Sequence, residues 1–127
     1  MSVFMIKLID AKAFLQAIAG IWTEGNLDLI EKYYAKDFQA NYYGNQINYG
    51  DLVHRLNYLK LHQRDRKLEI FDVLLDQNKI AARFHYYAVD DQEGVIDTDG
   101  LAIYYLNDGQ KIFRAWSFAD GHVDYLK

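Results

Sequence analysis

Two residue types are absent from this sequence: its 127 residues include neither cysteine nor proline. Without cysteine there is no disulfide framework, no thiolate nucleophile and no zinc site built on thiolates. Serine is nearly as scarce, since Ser2 and Ser117 are the only two, and no Gly-x-Ser-x-Gly segment surrounds either. Covalent catalysis by a serine nucleophile is therefore excluded.

Basic residues are fewer than acidic ones: 14 Lys and Arg against 18 Asp and Glu give a net charge of −4. An acidic chain has no general attraction for phosphate backbones, so we expect no nucleic-acid partner. The apolar run at residues 3–6 is far shorter than the ~20 residues that cross a bilayer. It also lacks the pattern of a secretory signal. We therefore expect a cytoplasmic protein with no membrane partner.

The residues that are abundant indicate a folded protein. Hydrophobic residues make up 51% and charged residues 25%, which is a globular rather than a disordered composition. The length suits a single domain over residues 1–127. Eleven tyrosines and seven phenylalanines are typical of strands and of half-wet cavities, because a tyrosine ring is apolar while its hydroxyl needs a partner.

The first half of the chain carries three stretches with apolar residues at helical spacing. Asp10 is the predicted N-cap of the first helix, which ends at Gly25, and Asn26 is the predicted N-cap of the second. A short extended segment over residues 38–49 precedes a third helix, predicted over residues 51–63 after Gly50. The apolar stripe of this third helix consists of Leu52, Leu56 and Leu59.

From Lys67 onward the apolar residues alternate, which predicts strands. The four strands are expected over residues 67–75, 80–89, 95–106 and 110–119. Their short connections imply antiparallel neighbours, since a parallel crossover needs about a dozen residues. The sequence thus predicts an α+β fold with three N-terminal helices packed on a curved antiparallel β-sheet. Three helices would not fill the wide mouth of such a sheet, so we expect a cone-shaped, largely apolar cavity.

Several segments carry a family resemblance in their order and spacing. Residues 22–30 join the first two helices, residues 34–38 lead into the extended segment, and Gly50 precedes the third helix. The remaining matches are residues 80–84 and residues 108–112, the latter followed by Trp116 and Asp120. Together they resemble the SnoaL-like branch of the NTF2-like superfamily over nearly the whole chain. The resemblance implies a curved sheet with three helices, a pocket at one end, and frequently a homodimer.

The resemblance implies no single reaction, because its members include polyketide cyclases, steroid isomerases and dehydratases. In the cyclase branch an Asp on the last strand is the general acid/base. The matching position is Ser117, whose hydroxyl cannot take that role near neutral pH. In the ketosteroid-isomerase branch the Asp base matches Tyr42 and the oxyanion Tyr matches Ile18. Neither reaction is expected by its usual route.

The candidate site residues lie mostly near the predicted cavity. Asp120 follows the last strand and is the candidate catalytic acid if it faces the pocket; alternatively it only ends the strand. Aromatic side chains are expected to line an apolar pocket with few polar anchors. The predicted ligand-binding residues are Trp22, Tyr42, Tyr58, Trp116 and Ser117. We expect no metal and no cofactor.

His85 has two possible settings on its strand. Ile80, Ala82, Phe84 and Tyr86 share the apolar face, so Arg83, His85 and Tyr87 are expected to face outward, where a second subunit could cover them. In the alternative, His85 forms an acid–base pair with Asp97 or Asp99 inside the cavity.

Three functions remain open from the sequence. The first is a protein that binds a small apolar or aromatic molecule, with or without turnover. The second is a non-catalytic dimeric interaction module that uses the outer face of the sheet. The third is a cyclase or isomerase that relies on Asp120. The sequence does not decide whether the protein is an enzyme.

Overall fold

The computed structural model describes residues 7–119. The chain begins with helix α1 (Leu8–Glu24), a 3₁₀ turn (Leu27–Leu29) and the single-turn helix α2 (Ile30–Tyr33). Two strands follow, β1 (Tyr34–Tyr42) and β2 (Asn45–Asn48), and they lead into helix α3 (Tyr49–His62). The long strands are β3 (Gln63–Asp76), β4 (Lys79–Asp90), β5 (Gly94–Leu106) and β6 (Ile112–Ala119).

The end of α1 lies where the sequence predicts it, but its predicted N-cap is wrong. Gly25 is the C-cap of α1 in the left-handed conformation, with φ 71°. The N-cap is Lys7, and Asp10 lies in the first turn, where its negative charge favours the helix dipole. Asn26 is the N-cap residue of the helical turn that leads into α2, as predicted, although without a side-chain capping bond. Its amide instead donates to Glu24, with 3.2 Å between Nδ2 and Oε2.

Helix α3 begins two residues earlier than predicted because Asn48 is its cap, so Gly50 lies inside the helix. The side-chain oxygen of Asn48 accepts from the backbone N–H of Asp51, and an Asp51 carboxylate oxygen accepts from the backbone N–H of Asn48, both at 2.9 Å. This reciprocal capping box satisfies two of the otherwise unpaired donors at the start of the helix.

The sheet has six strands in the order β2-β1-β6-β5-β4-β3. The meander β3-β4-β5-β6 is antiparallel, as predicted, but β1 pairs with β6 in parallel, so the prediction of an antiparallel sheet is wrong. The parallel pair arises because α3 and four strands intervene between β1 and β6 and provide the crossover that parallel pairing requires. The third helix also follows the first two strands, so the three helices are not consecutive at the N-terminus.

Alternation along the strands gives the sheet an inner face, which contacts α1 and α3, and an outer face. Ile80, Ala82, Phe84 and Tyr86 of β4 lie on the inner face, as predicted. The core lies between this face and the helices, around residues such as Ile18, Tyr34, Phe38, Leu56 and Ile112, each at most 2% exposed. The rings of Tyr34 and Phe38 meet edge to face, with 5.2 Å between their centroids.

Candidate functional site

A cavity remains between the helices and the inner face of the sheet, at the position where the sequence predicts one. Its walls come from α1, α3 and strands β1 and β3 to β6. The volume open to the centre of a water molecule is about 80 Å³, and one water needs about 10–15 Å³ on this measure. The cavity therefore has room for a small organic molecule rather than a polymer.

Most of the cavity wall is apolar, because each element turns its buried stripe towards it. Representative lining residues are Leu15, Ile18, Leu59, Ile70, Phe84 and Ile96. Leu15 and Ile18 share one side of α1, Leu59 lies on the apolar stripe of α3, and the alternation of the strand residues brings their side chains to the same surface. A wall of this kind removes apolar ligand surface from water, which is favourable by about 25 cal/mol per Å².

Three of the predicted ligand-binding residues line this cavity: Trp22, Tyr42 and Ser117. The rings of Trp22 and Tyr42 lie 6.4 Å apart at 53°. The indole N–H of Trp22 donates to the hydroxyl of Tyr34 over 3.2 Å, which fixes the orientation of the indole. Burial raises the pKa of Tyr34 far above its usual range, so its hydroxyl stays protonated.

The other two predicted ligand-binding residues are not among the lining residues. Tyr58 is not part of the wall, and its hydroxyl donates to Oδ2 of Asp90 over 3.3 Å. Trp116 lies on the outer face and is 42% exposed. Ser117 and Trp116 are adjacent in β6, and successive side chains of a strand point to opposite faces, so the two cannot line one cavity. Asp120, the predicted catalytic acid, lies outside the described residues.

The positions that match the reactive groups of the cyclase and isomerase branches all face the cavity. They are Ile18, Tyr42 and Ser117. The differences from those branches therefore lie in the site itself. Ile18 stands at the position of the oxyanion tyrosine, and Tyr42 and Ser117 stand at the positions of aspartates.

One end of the cavity is polar and was not predicted from the sequence. Arg55 on α3 lines the cavity and is 5% exposed, beside Gln63 and Tyr86. The Tyr86 hydroxyl donates to Oε1 of Gln63 over 2.6 Å, and Nε2 of Gln63 donates to Asp90 over 3.0 Å. The spacing of residues along α3 could have predicted that Arg55 faces the cavity, because Arg55 falls on the same stripe as Leu52, Leu56 and Leu59.

Asp90 is a buried carboxylate whose charge is held by neutral donors. Oδ2 accepts from Gln63 and Tyr58, and Oδ1 accepts from the backbone N–H groups of Gln92, at 2.8 Å, and Glu93, at 3.0 Å. Burial by itself would raise the pKa of Asp90, but these four hydrogen bonds outweigh it and lower the pKa to about 2. Asp90 is therefore ionised at neutral pH.

The buried tyrosines of the cavity are shifted in the opposite direction. Burial raises the pKa of Tyr86 to about 12, although the positive charges of Arg66 and Arg55 act to lower it. Burial also raises the pKa of Tyr104 to about 12. The pKa values of Asp90, Tyr86 and Tyr104 are thus all shifted further from pH 7. General acid–base catalysis works best with a group that titrates near the operating pH, and Tyr86, Tyr104 and Asp90 do not meet that condition.

His85 lies on the outer face, as expected, and contacts both of the acids named as alternatives. Its Nε2 lies 2.5 Å from Oδ1 of Asp97, and its Nδ1 lies 2.7 Å from Oδ1 of Asp99. The hydrogen bond to Asp99, against a smaller effect of burial, and the charges of both carboxylates raise the pKa of His85. The acid–base contact therefore exists, but outside the cavity. The two ring nitrogens serve different carboxylates, so the three groups do not converge on one point as metal ligands would.

Residues 7–119 contain neither a cluster of metal ligands nor a helix that could span a membrane. No group of three or more His, Asp or Glu side chains in this range is arranged to hold a metal ion. No helix in this range is long and apolar enough to cross a bilayer.

The mixed six-stranded sheet, three helices and inner cavity define an α+β protein with the NTF2-like fold, which confirms the SnoaL-like resemblance for the fold. Wild-type IdmH from Streptomyces antibioticus superposes with a TM-score of 0.75 at 12% identity, over 87% of this chain and 91% of that chain. A SnoaL-like polyketide cyclase from Agrobacterium tumefaciens gives 0.73 at 17% identity, over 87% and 91%.

A third neighbour is an epoxide hydrolase of the LEH-like type from M. tuberculosis, with a TM-score of 0.74 at 12% identity over 88% of this chain and 84% of that chain. No protein-family model and no curated protein sequence matches the chain. At these identities the likeness establishes the fold, which hosts different reactions in the cyclases and the hydrolase.

Proposed function

We propose that this chain is a single-domain, cytoplasmic binding protein for a small apolar or aromatic molecule, held in the cavity on the inner face of the sheet. The observation that carries this proposal is the cavity wall, which is largely apolar and carries a few polar groups, three of which lie together at one end. Such a wall is typical of small-molecule sites. The structural neighbours named as polyketide cyclases and as an epoxide hydrolase act on small organic molecules, which supports the same class of ligand.

A thermal-shift screen with steroids, polyketides and aromatic acids tests the proposal. A ligand present at 100 times its Kd adds about 2.7 kcal/mol to the free energy of unfolding, so a true ligand raises Tm clearly. Ala82 and Ala81 are adjacent in β4, but only Ala82 lines the cavity. Ala82→Phe should abolish the shift by filling the cavity, and Ala81→Phe should preserve it. A screen without any shift, or a shift that survives Ala82→Phe, contradicts the proposal.

A cyclase or isomerase reaction that relies on Asp120 is the second candidate. It is favoured by the fold shared with a solved structure named as a SnoaL-like polyketide cyclase. In this proposal Asp120 replaces the acid that the cyclase branch carries at the position of Ser117. Asp120→Asn should abolish turnover of a substrate that the screen identifies while leaving Tm unchanged. Unaltered turnover in that variant rules out the role.

The outer face supports a homodimer as part of the same proposal. Leu101, Trp116 and Phe118 are 51%, 42% and 53% exposed on neighbouring strands. The rings of Trp116 and Phe118 stack with 6.4 Å between centroids. Contiguous exposed apolar residues of this kind mark protein interfaces, and a second copy would remove them from water. The open cavity distinguishes the binding protein from a purely structural module, which would have no use for it.

A further inference from the structure

The hydroxyl of Tyr104 is a buried polar group of the cavity that has no hydrogen-bond partner among residues 7–119. Tyr104 lies on β5, and its side chain lines the cavity. Burial raises its pKa to about 12, so the phenol keeps its proton and remains a donor at neutral pH. A buried donor without an acceptor is costly. The cavity wall therefore contains a donor that a ligand can satisfy.

Tyr86, another cavity tyrosine with a pKa of about 12, has a different environment. Its hydroxyl donates to Oε1 of Gln63 over 2.6 Å, and the positive charges of Arg66 and Arg55 act to lower its pKa. The pKa shift of Tyr104 comes from burial, without a contribution from a charged side chain of the described residues. The surroundings of the Tyr104 hydroxyl are therefore uncharged, and an anion beside it would lose its hydration without meeting a cation.

Strand pairing places Tyr104 well away from the end of the cavity that holds Tyr86. Tyr86 pairs with Thr98, which precedes Tyr104 on the same strand β5, and the separation of the two positions corresponds to about 20 Å along the strand. Beside Tyr104, strands β6 and β1 contribute the small residues Ala115 and Ala40. The surrounding protein does not fully enclose the Tyr104 oxygen, so a ligand in the cavity can reach it.

We infer that Tyr104 determines specificity: its hydroxyl donates to an uncharged oxygen acceptor of the ligand, such as the carbonyl of a ketone or an ester, while the rest of the ligand lies along the apolar wall. A carbonyl oxygen offers two lone pairs and carries no proton, so it satisfies the phenol without leaving a new donor unpaired. A neutral acceptor also avoids the cost of burying a charge at this position. This inference rests on the proposed binding function and adds a binding residue and the chemical class that it recognises.

Matched pairs of ketones and alkenes test the inference, because the members of a pair have nearly the same shape and only the ketone accepts a hydrogen bond. The probes are acetophenone against α-methylstyrene and 2-acetylnaphthalene against 2-isopropenylnaphthalene, with Kd measured by calorimetry. The ratio of the two Kd values within a pair is compared between the wild-type protein and its variants. In that comparison the different hydration of the two free probes cancels, and the hydrogen bond to the protein remains.

Tyr104→Phe removes only the hydroxyl. We expect it to weaken the binding of the ketone relative to the alkene by about three- to tenfold in at least one pair, which is the effect of losing one typical hydrogen bond. The matched control is Tyr105→Phe, because Tyr105 is the next residue of β5 and is not among the cavity-lining residues. Its ring lies 5.9 Å from Nζ of Lys79, and the variant should keep the wild-type ratio. An unchanged ratio in Tyr104→Phe overturns the inference and leaves the proposed function standing.

The stability of Tyr104→Phe gives a second test that needs no ligand. Removal of a hydroxyl that has no partner in the described part of the chain should leave Tm unchanged or raise it; a clear fall in Tm would show that the hydroxyl is already paired and would overturn the inference. 2-Naphthoate tests the absence of charge: if Tyr104→Phe weakens its binding more than that of 2-acetylnaphthalene, the hydroxyl binds an anion and the inference is wrong. If neither member of either pair binds the wild-type protein, the carbonyl inference fails, whereas the proposed function fails only if the wider screen is also silent.

Discussion

Asp90 is a buried residue at the end of β4 that remains ionised, because four hydrogen bonds from neutral groups hold its carboxylate. Its pKa is about 2 in the folded chain against an ordinary value of 3.8. Because the folded value is the lower one, the ionised group stabilises the fold at every pH above about 4. This contribution is lost as the pH falls towards about 2.

We expect Asp90→Asn to lower the free energy of unfolding by about 1–3 kcal/mol at neutral pH, since the donors around it lose a charged acceptor. The variant should also lose less stability than the wild type between about pH 4 and pH 2, by about 1–2 kcal/mol. Urea unfolding at about pH 7 and pH 2.5 measures both effects. Exposed Asp76→Asn is the control and should change little. Equal acid sensitivity of Asp90→Asn and the wild type would contradict the hydrogen-bond geometry.

Single-residue chemistry also explains which parts of the site the sequence could predict. Trp22, Tyr42 and Ser117 follow from the apolar pattern and the family resemblance, and all three line the cavity. Trp116 is predicted there on the same aromatic grounds as Trp22 and Tyr42, but its neighbour Ser117 occupies the inward position of the strand. Arg55 was missed because a charged residue is ordinarily expected on the exposed side of a helix.

Among the elements, the long strands were the most predictable and the pairing of β1 was the least. The strands β3 to β6 lie within a few residues of their predicted ranges, because alternation is a local pattern that the sequence displays directly. The parallel partner of β1 depends on residues more than half the chain away, and no local pattern encodes it. The short helix α2 follows a 3₁₀ turn, so its start is not marked by an ordinary cap.

Gly20 and Gly100 differ in how much space a side chain would have. Gly20 lies inside α1, and a Cβ at this position would meet nothing within 4 Å. Gly100 lies in β5 opposite Phe84, and a Cβ there would approach the Phe84 ring to less than 2.5 Å and the backbone oxygen of Phe118 to 2.9 Å. The Phe84 ring thus covers Gly100 and forms part of the cavity wall.

We expect Gly20→Ala to raise the free energy of unfolding by about 0.5–1 kcal/mol, because alanine is the better helix former and meets no obstacle. Gly100→Ala should lower it by about 1–3 kcal/mol, because the added methyl group collides with a ring and with backbone. Chemical denaturation of both variants gives the two values on one scale. Stabilisation by Gly100→Ala would mean that Phe84 does not lie over this glycine.

For the whole molecule, the two faces of the sheet have separate roles in our proposal. The inner face forms the cavity, and the outer face carries Leu101, Trp116 and Phe118, which a second copy would cover. The outer face also holds His85 between Asp97 and Asp99, which gives it charged groups beside the apolar ones. Apolar surface flanked by polar groups is the usual composition of a protein interface.

Light scattering coupled to size-exclusion chromatography checks the dimer. The wild-type protein should elute with twice the mass of the chain, and Phe118→Lys should elute as a monomer, because a buried unpaired charge disfavours association. Leu61→Lys is the matched control: Leu61 is 77% exposed on α3 and lies away from the outer face, so this variant should remain dimeric. A monomeric wild-type protein at tens of micromolar would exclude the dimer at ordinary concentrations.

The parallel pairing of β1 with β6 has a consequence for how the chain acquires its structure during synthesis. Ala40 pairs with Ala115, so β1 and the short β2 bonded to it cannot join the sheet until the last described strand has left the ribosome. Contacts this distant in sequence slow folding, because a long loop must close before they form. The apolar side chains of β1 therefore cannot be covered by the sheet before β6 has emerged, and the nascent chain is vulnerable to aggregation during that interval.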